Sequence, residues 1–540
     1  RPEQAWTPAP RPRQFRIIEV EEALGAMLIR SRAALLALAG LALAAETPSH
    51  HAGELSLDAY PFQTFDGTIQ RAELGRLWVR ENRDGPSDRL IQIAFVRLPS
   101  TAAKPRSPVV FLSGGPGVPG TVIGRVPLYH RLFERLQTRS DVILLDQRGV
   151  GMSSPNTACP EGAPPPSAAF ETESGFREAL TALARACADH WRGEGLDVAA
   201  FTTAASADDV EDLRVALEAD KVSLIAHSYG TAVALAAIRR HGAHLDRVVL
   251  AGTEGPDQTV QLPLVWDFAL RRLSAMAASA PDLSGAFPDT YREFQRLLEK
   301  LAKEPLPVPI QTGAKQHSTV PVGPFVLKLS VKNMLFNGRQ AEGIPALVYS
   351  LSQGDPTLLI PAVQSLYNAL ASGFSVMQFS VSCSDGWSAE RRRLAEAQAS
   401  RSLFGDAPFV HLDPDLCGAV GAASPQSESL LPVWSSVPTL LVSGTLDSNT
   451  PAFQSDEIVW GLSNGESVRV ENGFHDTLPS TDVQAIVMEF LGGADVGDRS
   501  VELPPPTFLT IAKAIADAGT TRGSAFPHTV TLHKGTPLIH

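Results

Sequence analysis

Residues Lys221–Ile238 read KVSLIAHSYGTAVALAAI. Val222 to Ala226 are β-branched and apolar, fit for a buried strand, whereas Thr231 to Ile238 are alanine-rich and suit a helix packed on a sheet. Ser228 sits at the turn between them. Small residues stand two before it and two after it, Ala226 and Gly230, as a sharp strand-to-helix turn requires where the two elements approach closely. Alanine in place of a first glycine adds one methyl group at that contact. The plain alternative is a serine capping an ordinary helix, and the pentapeptide alone does not decide between the two.

The flanking sequence adds strands on both sides. Ala72–Glu81 and Arg89–Leu98 alternate apolar and polar residues, which predicts an antiparallel hairpin at a sheet edge. Pro108–Leu112 (PVVFL) is a buried strand running into Ser113-Gly114-Gly115-Pro116-Gly117, a loop whose glycines permit sharp turns and close approach. Asp141–Leu145 (DVILL) is another, ending at Asp146-Gln147-Arg148-Gly149, where Asp146 and Arg148 are expected to form a structural pair. Ser206–Leu217 reads as a helix capped by Ser206, and Arg247–Ala251 as the next strand. Strands alternating with helices imply a parallel sheet with right-handed crossovers, an α/β fold.

From about Gly255 to about Leu430 helical patterns dominate, with a long apolar segment at Pro356–Phe379, so an inserted helical cap is expected. The α/β pattern returns with Val437–Val442, leading into Ser443-Gly444-Thr445-Leu446-Asp447, and with Ser467–Val470, leading into Asn472-Gly473-Phe474-His475-Asp476. Thr481–Leu491 is a final amphipathic helix. Beyond Leu509 the sequence shows no clear pattern.

The chain as a whole narrows the function classes. Its 540 residues are 44% hydrophobic and 19% charged, an ordinary globular composition. A net charge of −12 with no long basic run argues against a nucleic-acid partner. Met27 to Arg32 leads into the apolar run Ala33–Leu43 and the small-residue pattern Ala42-Leu43-Ala44, which reads as a secretory signal peptide. That run is shorter than the roughly 20 residues a membrane-spanning helix needs, so no stable membrane anchor is expected. Residues 1–26 read as upstream extension. Four cysteines in an exported chain favour disulfides, and the sequence-local pairing is Cys159 with Cys187 and Cys383 with Cys417. Periplasmic or secreted localisation follows from the same reading. No cysteine or histidine spacing suits a metal, and no cofactor is expected. Nothing bears on oligomeric state.

The chemistry-bearing residues fall at strand ends. An acyl-transfer serine needs a base for its proton, and the base needs a carboxylate to hold its tautomer. Ser228, Asp447 and His475 each follow a strand, in the order Ser, Asp, His found in α/β-hydrolases. Glu254, after the Arg247–Ala251 strand, is the rival acid, and His227 is read as structural. An oxyanion needs preorganised N–H donors. The backbone of Tyr229 supplies one, and Gly115 the second, with Gly117 as the alternative because Pro116 has no N–H.

At these residues the chain resembles the α/β-hydrolase peptidases of the proline iminopeptidase and tripeptidyl aminopeptidase family. The motifs are GGPG at 114–117, DQRGVGMSS at 146–154, AHSYGT at 226–231, SGTLDSNTP at 443–451 and NGFHD at 472–476. Ser113 stands where that family often has a histidine, and Ala226 where it has the first elbow glycine. The resemblance implies an α/β-hydrolase fold, a mostly parallel sheet with an inserted helical cap. The patterns along the chain divide it into residues 1–44, the upstream extension and signal peptide, a core of 45–254 and 431–495, a cap of 255–430 and a tail of 496–540. The resemblance further implies a serine exopeptidase acting on peptides with a free N-terminus through Ser228, Asp447 and His475, with Glu254 binding the substrate ammonium. A carboxylesterase using the same residues, or a non-catalytic binding protein on the same fold, are the competing readings.

Overall fold

Apolar runs buried on both faces set the sheet. In the computed structural model, which describes residues 50–520 except 260, 284 and 426, the strands are β1 (Leu55–Gln63), β2 (Ile69–Arg80), β3 (Leu90–Leu98), β4 (Arg106–Leu112), β5 (Ser140–Leu145), β6 (Val222–His227), β7 (Leu245–Ala251), β8 (Leu306–Gly313), β9 (Gln316–Val322), β10 (Thr439–Gly444), β11 (Gly465–Glu471) and β12 (Ser500–Glu502). Ten of them form one sheet in the order β1-β2-β3-β5-β4-β6-β7-β10-β11-β12. From β5 to β12 every neighbouring pair is parallel; β1, β2 and β3 join antiparallel at one end. The segments read as signal peptide and upstream extension, and the chain beyond 520, lie outside the described residues.

Alternation along each central strand feeds two cores. Val110, Leu112, Ile143, Leu145, Leu224 and Leu250 face one cluster, while Val109, Phe111, Val142, Leu144, Ile225 and Val249 face the other. The helix Tyr229–His241 packs Val233, Ala234, Leu235 and Ile238 into the first. The helix Thr481–Leu491 packs Val483, Ile486, Val487 and Phe490 into the second. Covered on both sides, the parallel strands can be apolar throughout, and their C-terminal ends are left to carry the loops that hold the site.

Five expectations need correction. The β2–β3 hairpin is not the sheet edge, because β1 pairs outside it. β1 escaped notice because most of its side chains are exposed and it shows no alternation of buried residues. The segment 255–430 is mainly helical but carries the antiparallel hairpin β8–β9. Val308, Ile310, Val320 and Val322 are buried there, but prolines at 307, 309 and 321 mask the strand pattern. The helix expected from Ser206 begins at Thr203, and its cap is Thr202, whose side chain accepts from the Ala205 N–H; Ser206 is a buried interior residue. Beyond Leu509, where no pattern was expected, a helix spans Ile511–Thr520.

The fifth correction concerns charge. Asp146 and Arg148 do not pair. Asp146 accepts from the Thr121 N–H at 3.0 Å, the Thr121 hydroxyl and the Met152 N–H at 2.9 Å. Arg148, fully buried, donates to both carboxylate oxygens of Asp209 at 2.7 Å and to the carbonyls of Glu81 and Ala200 at 2.8 Å. Both disulfides form between the sequence-local partners, Cys159–Cys187 and Cys383–Cys417. Asp209→Ala strands a buried guanidinium, so a loss of about 3–5 kcal/mol is expected in urea unfolding. A loss under about 1 kcal/mol would show that the pair does not brace this loop.

Candidate functional site

Ser228 occupies the turn from β6 into the Tyr229–His241 helix with φ 55° and ψ −131°, a region that non-glycine residues avoid. Hydrogen bonds on both sides hold it there. Its N–H donates to the Ala251 carbonyl at 3.0 Å, and its carbonyl accepts from the Thr231 N–H at 2.8 Å and the Thr231 hydroxyl at 2.5 Å. Two close approaches demand glycine. A Cβ on Gly230 would fall 2.2 Å from the Leu112 carbonyl oxygen, and one on Gly114 would fall 2.6 Å from the Ser228 Cβ. The glycine-rich loop therefore lies directly against the serine. Sequence reasoning singled out Gly115 and Gly117 and passed over Gly114, the residue in contact.

Asp447 and His475 sit on the turns after β10 and β11. The Asp447 carboxylate accepts from the backbone N–H of Asn449 at 2.8 Å and of Thr450 at 2.9 Å, and from the Thr450 hydroxyl at 2.7 Å. His475 Nδ1 lies 2.8 Å from its Oδ2. Glu254, the rival acid, makes no such bond; its backbone N–H donates to the Thr231 hydroxyl at 2.8 Å. The imidazole is edge-on to Phe336, whose carbonyl accepts from the His475 N–H at 3.2 Å. A Cβ on Gly252 would fall 3.0 Å from the His475 Cε1. Serine and imidazole thus abut consecutive residues, Ala251 and Gly252, at the end of one strand.

Burial and charge set the titration of the pair. Burial pushes Asp447 up, but the His475 charge and the bonds from His475 and Thr450 outweigh it and hold the carboxyl below its ordinary value. Burial also works against protonated His475, yet Asp447 beside it raises its pKa above the ordinary 6.5. His227 lies 4.9 Å from the His475 ring, centre to centre, and is itself held low, chiefly by burial. Its Nε2 is 3.3 Å from Asp476, which accepts from the Tyr129 hydroxyl at 2.5 Å. This Tyr129–Asp476–His227 cluster was not foreseen, since only the fold brings the three together.

A second unforeseen group is Asp385, at the end of the helix Val376–Asp385. It is buried and accepts from the Thr203 hydroxyl at 2.6 Å, which also lies 3.0 Å from the Tyr229 hydroxyl. Glu254 is half-buried. Burial and the neighbouring Asp385 charge push its carboxyl up to about 8, against the pull of His475; burial pushes Asp385 up to about 7. Two reluctant carboxyls therefore stand within electrostatic reach of each other, and Glu254 also within reach of the His475 charge. Nothing in the local sequence around Asp385 marks it.

A sequence model of the alpha/beta hydrolase fold matches residues 107–294, and the ten-stranded sheet has the parallel centre and elbow of that architecture. The chain has the α/β-hydrolase fold. It is similar to the serine protease Hip1 of Mycobacterium tuberculosis strain ATCC 25618 / H37Rv, 26% identical over 34% of this chain. The match covers only 36% of Hip1's own length. Among solved structures, a proline iminopeptidase from Mycobacterium smegmatis is 15% identical, with a TM-score of 0.35, covering 81% of this chain and 98% of its own. An esterase from Thermogutta terrifontis is 17% identical, with a TM-score of 0.35, covering 77% and 98%. Likeness at that level does not separate a peptidase from an esterase.

Histidine NMR tests the electrostatics described above. The His475 ring is expected to titrate above 6.5. In Asp447→Asn the largest raising charge is gone and only Asp476 and Glu254 remain against burial, so the value should fall from that of the unsubstituted protein; an unchanged titration would contradict the assigned cause.

Proposed function

We propose that the chain is an exported serine exopeptidase that removes residues or short peptides from free peptide N-termini. In this reading Ser228 is the nucleophile, His475 its base and Asp447 the carboxylate that orients the imidazole. The observation that carries the reading is the Asp447–His475 hydrogen bond of 2.8 Å beside a serine in a forced backbone conformation. His475 would take the Ser228 proton as Oγ attacks the carbonyl carbon, and return it to the leaving amine as the acyl-enzyme forms. Water then hydrolyses that ester by the same path. The tetrahedral oxyanion would be met by the N–H of Tyr229 and of Gly115.

Glu254, within electrostatic reach of Asp385, supports the choice of an amino-terminal substrate. A half-buried and a buried carboxyl with raised pKa values are costly to charge alone, and an ammonium placed against them would relieve that cost. The helical segment 255–430 would roof the site and limit the length of chain that enters. The two disulfides suit an oxidising compartment and so support export.

Aminoacyl and tripeptidyl arylamides, assayed beside short-chain nitrophenyl esters, test the assignment. Ser228→Ala should lose roughly 10⁴-fold or more in kcat. Ester turnover without any arylamide cleavage would overturn the peptidase reading. Glu254→Gln tests the ammonium site separately. It should raise KM for free-amine substrates roughly 10- to 100-fold, as expected for a lost charge-assisted hydrogen bond, and leave amine-free esters unaffected. For the unsubstituted protein, KM for free-amine substrates should fall from pH 6 to pH 8 as the raised carboxyls ionise. A flat KM, or equal effects on both substrate classes, would remove Glu254 from that role.

A further inference from the structure

The helix Val376–Asp385 lies in the segment inserted between the two halves of the core, yet its first turn touches the glycine-rich loop beside Ser228. Gln378 makes the contact. Its Nε2 donates to the Pro116 carbonyl at 2.8 Å. A Cβ on Gly117 would fall 2.7 Å from its Cγ. The rest of the side chain is fixed by a capping box: Gln378 Oε1 accepts from the Ser375 N–H at 2.8 Å, and the Ser375 hydroxyl accepts from the Gln378 N–H at 3.2 Å.

We infer that Gln378 is a positioning residue that sets the Gly114–Val118 loop, and with it the backbone donors of that loop, against Ser228. The inference rests on the proposed acyl-transfer reading. A capping box accepts glutamate and glutamine alike, because either can take the N-cap N–H. Only glutamine can do so and also donate to Pro116, so the residue type matches the loop's need and not the helix's alone. The loop has few other restraints. The Val118 N–H donates to the Gly114 carbonyl at 3.2 Å, Gln147 donates to the Ser113 carbonyl at 2.9 Å, and the Ser113 hydroxyl donates to the Val118 carbonyl. Gln378 is the partner of the loop's apex.

The helix that carries Gln378 is itself tied to the core. The Val376 N–H donates to the Thr157 carbonyl at 2.9 Å, the Cys159 N–H to the Phe374 carbonyl at 2.9 Å, and the Ser380 hydroxyl to the Val198 carbonyl at 2.7 Å. The Cys383–Cys417 disulfide fastens its other end, next to Asp385. One helix therefore reaches the oxyanion loop at its start and the acidic pair at its finish. A loop displaced by a fraction of an ångström loses donor geometry in the transition state while ground-state binding is kept.

Three full-length variants, Gln378→Glu, Gln378→Met and Ser375→Ala, are compared on arylamide and ester substrates, with Ser228→Ala as control. Gln378→Glu keeps the capping acceptor and loses the donor. Both Gln378 variants should lose about 10- to 100-fold in kcat on both substrate classes, short of the 10²–10³ lost with a deleted oxyanion donor, with KM within about twofold. Ser375→Ala, which keeps the Ser375 N–H that holds Oε1, should lower Tm and leave kcat within about twofold. Wild-type kcat in both Gln378 variants, with Ser228→Ala inactive, overturns the role of Gln378 alone. Losses that follow Tm across all three variants overturn it as a mere stability effect. Full activity in Ser228→Ala removes the acyl-transfer reading and this inference with it.

Discussion

The hydrogen bond from the Ser228 N–H to the Ala251 carbonyl, 3.0 Å long, is the constraint on which the rest turns. A serine at positive φ costs on the order of 1–3 kcal/mol unless its surroundings over-determine it. Here a strand neighbour holds the N–H, Thr231 holds the carbonyl, and Gly114 and Gly230 clear the space on either side. The parallel centre of the sheet makes this arrangement available. β4, β6, β7, β10 and β11 all end on the same side, so the loops bearing Gly114, Ser228, Gly252, Asp447 and His475 meet at one edge.

Around that edge the protein separates two kinds of acid. Asp447 is surrounded by donors, two backbone N–H groups, a hydroxyl and an imidazole, and stays ionised although buried. Asp385 is buried with one hydroxyl donor, and Glu254 stands beside it with no side-chain donor that offsets burial; both are held toward the neutral form. The same side-chain chemistry thus gives a fixed anion beside the base and a pair that charges readily only against a cation. In the proposed reading, that contrast would favour a substrate that presents an ammonium.

The sheet was legible in the sequence wherever burial on both faces made strands continuously apolar, as in PVVFL, DVILL and VPTLLV. The strand-end positions of Ser228 and Asp447 were legible because each follows such a run, and that of His475 because it follows the shorter, alternating SVRV. β1 was not, since its residues face solvent, and the β8–β9 hairpin was hidden by its prolines. Contacts between distant segments were also illegible. Arg148 and Asp146 are two apart in the chain, yet the loop turns between them and Arg148 finds Asp209. Gln378 and Asp385 carry no local signature, and Asp476, although it ends the NGFHD motif, takes its meaning from the Tyr129 and His227 that the fold places against it.

Covalent labelling tests the central claim most directly. The protein is treated with a fluorophosphonate, which transfers its phosphonyl group to an activated serine hydroxyl with loss of fluoride, and the modified peptide is found by mass spectrometry. The account predicts one stoichiometric adduct on Ser228, abolished in His475→Ala. Absence of an adduct on folded protein, or an adduct on another serine, would contradict it.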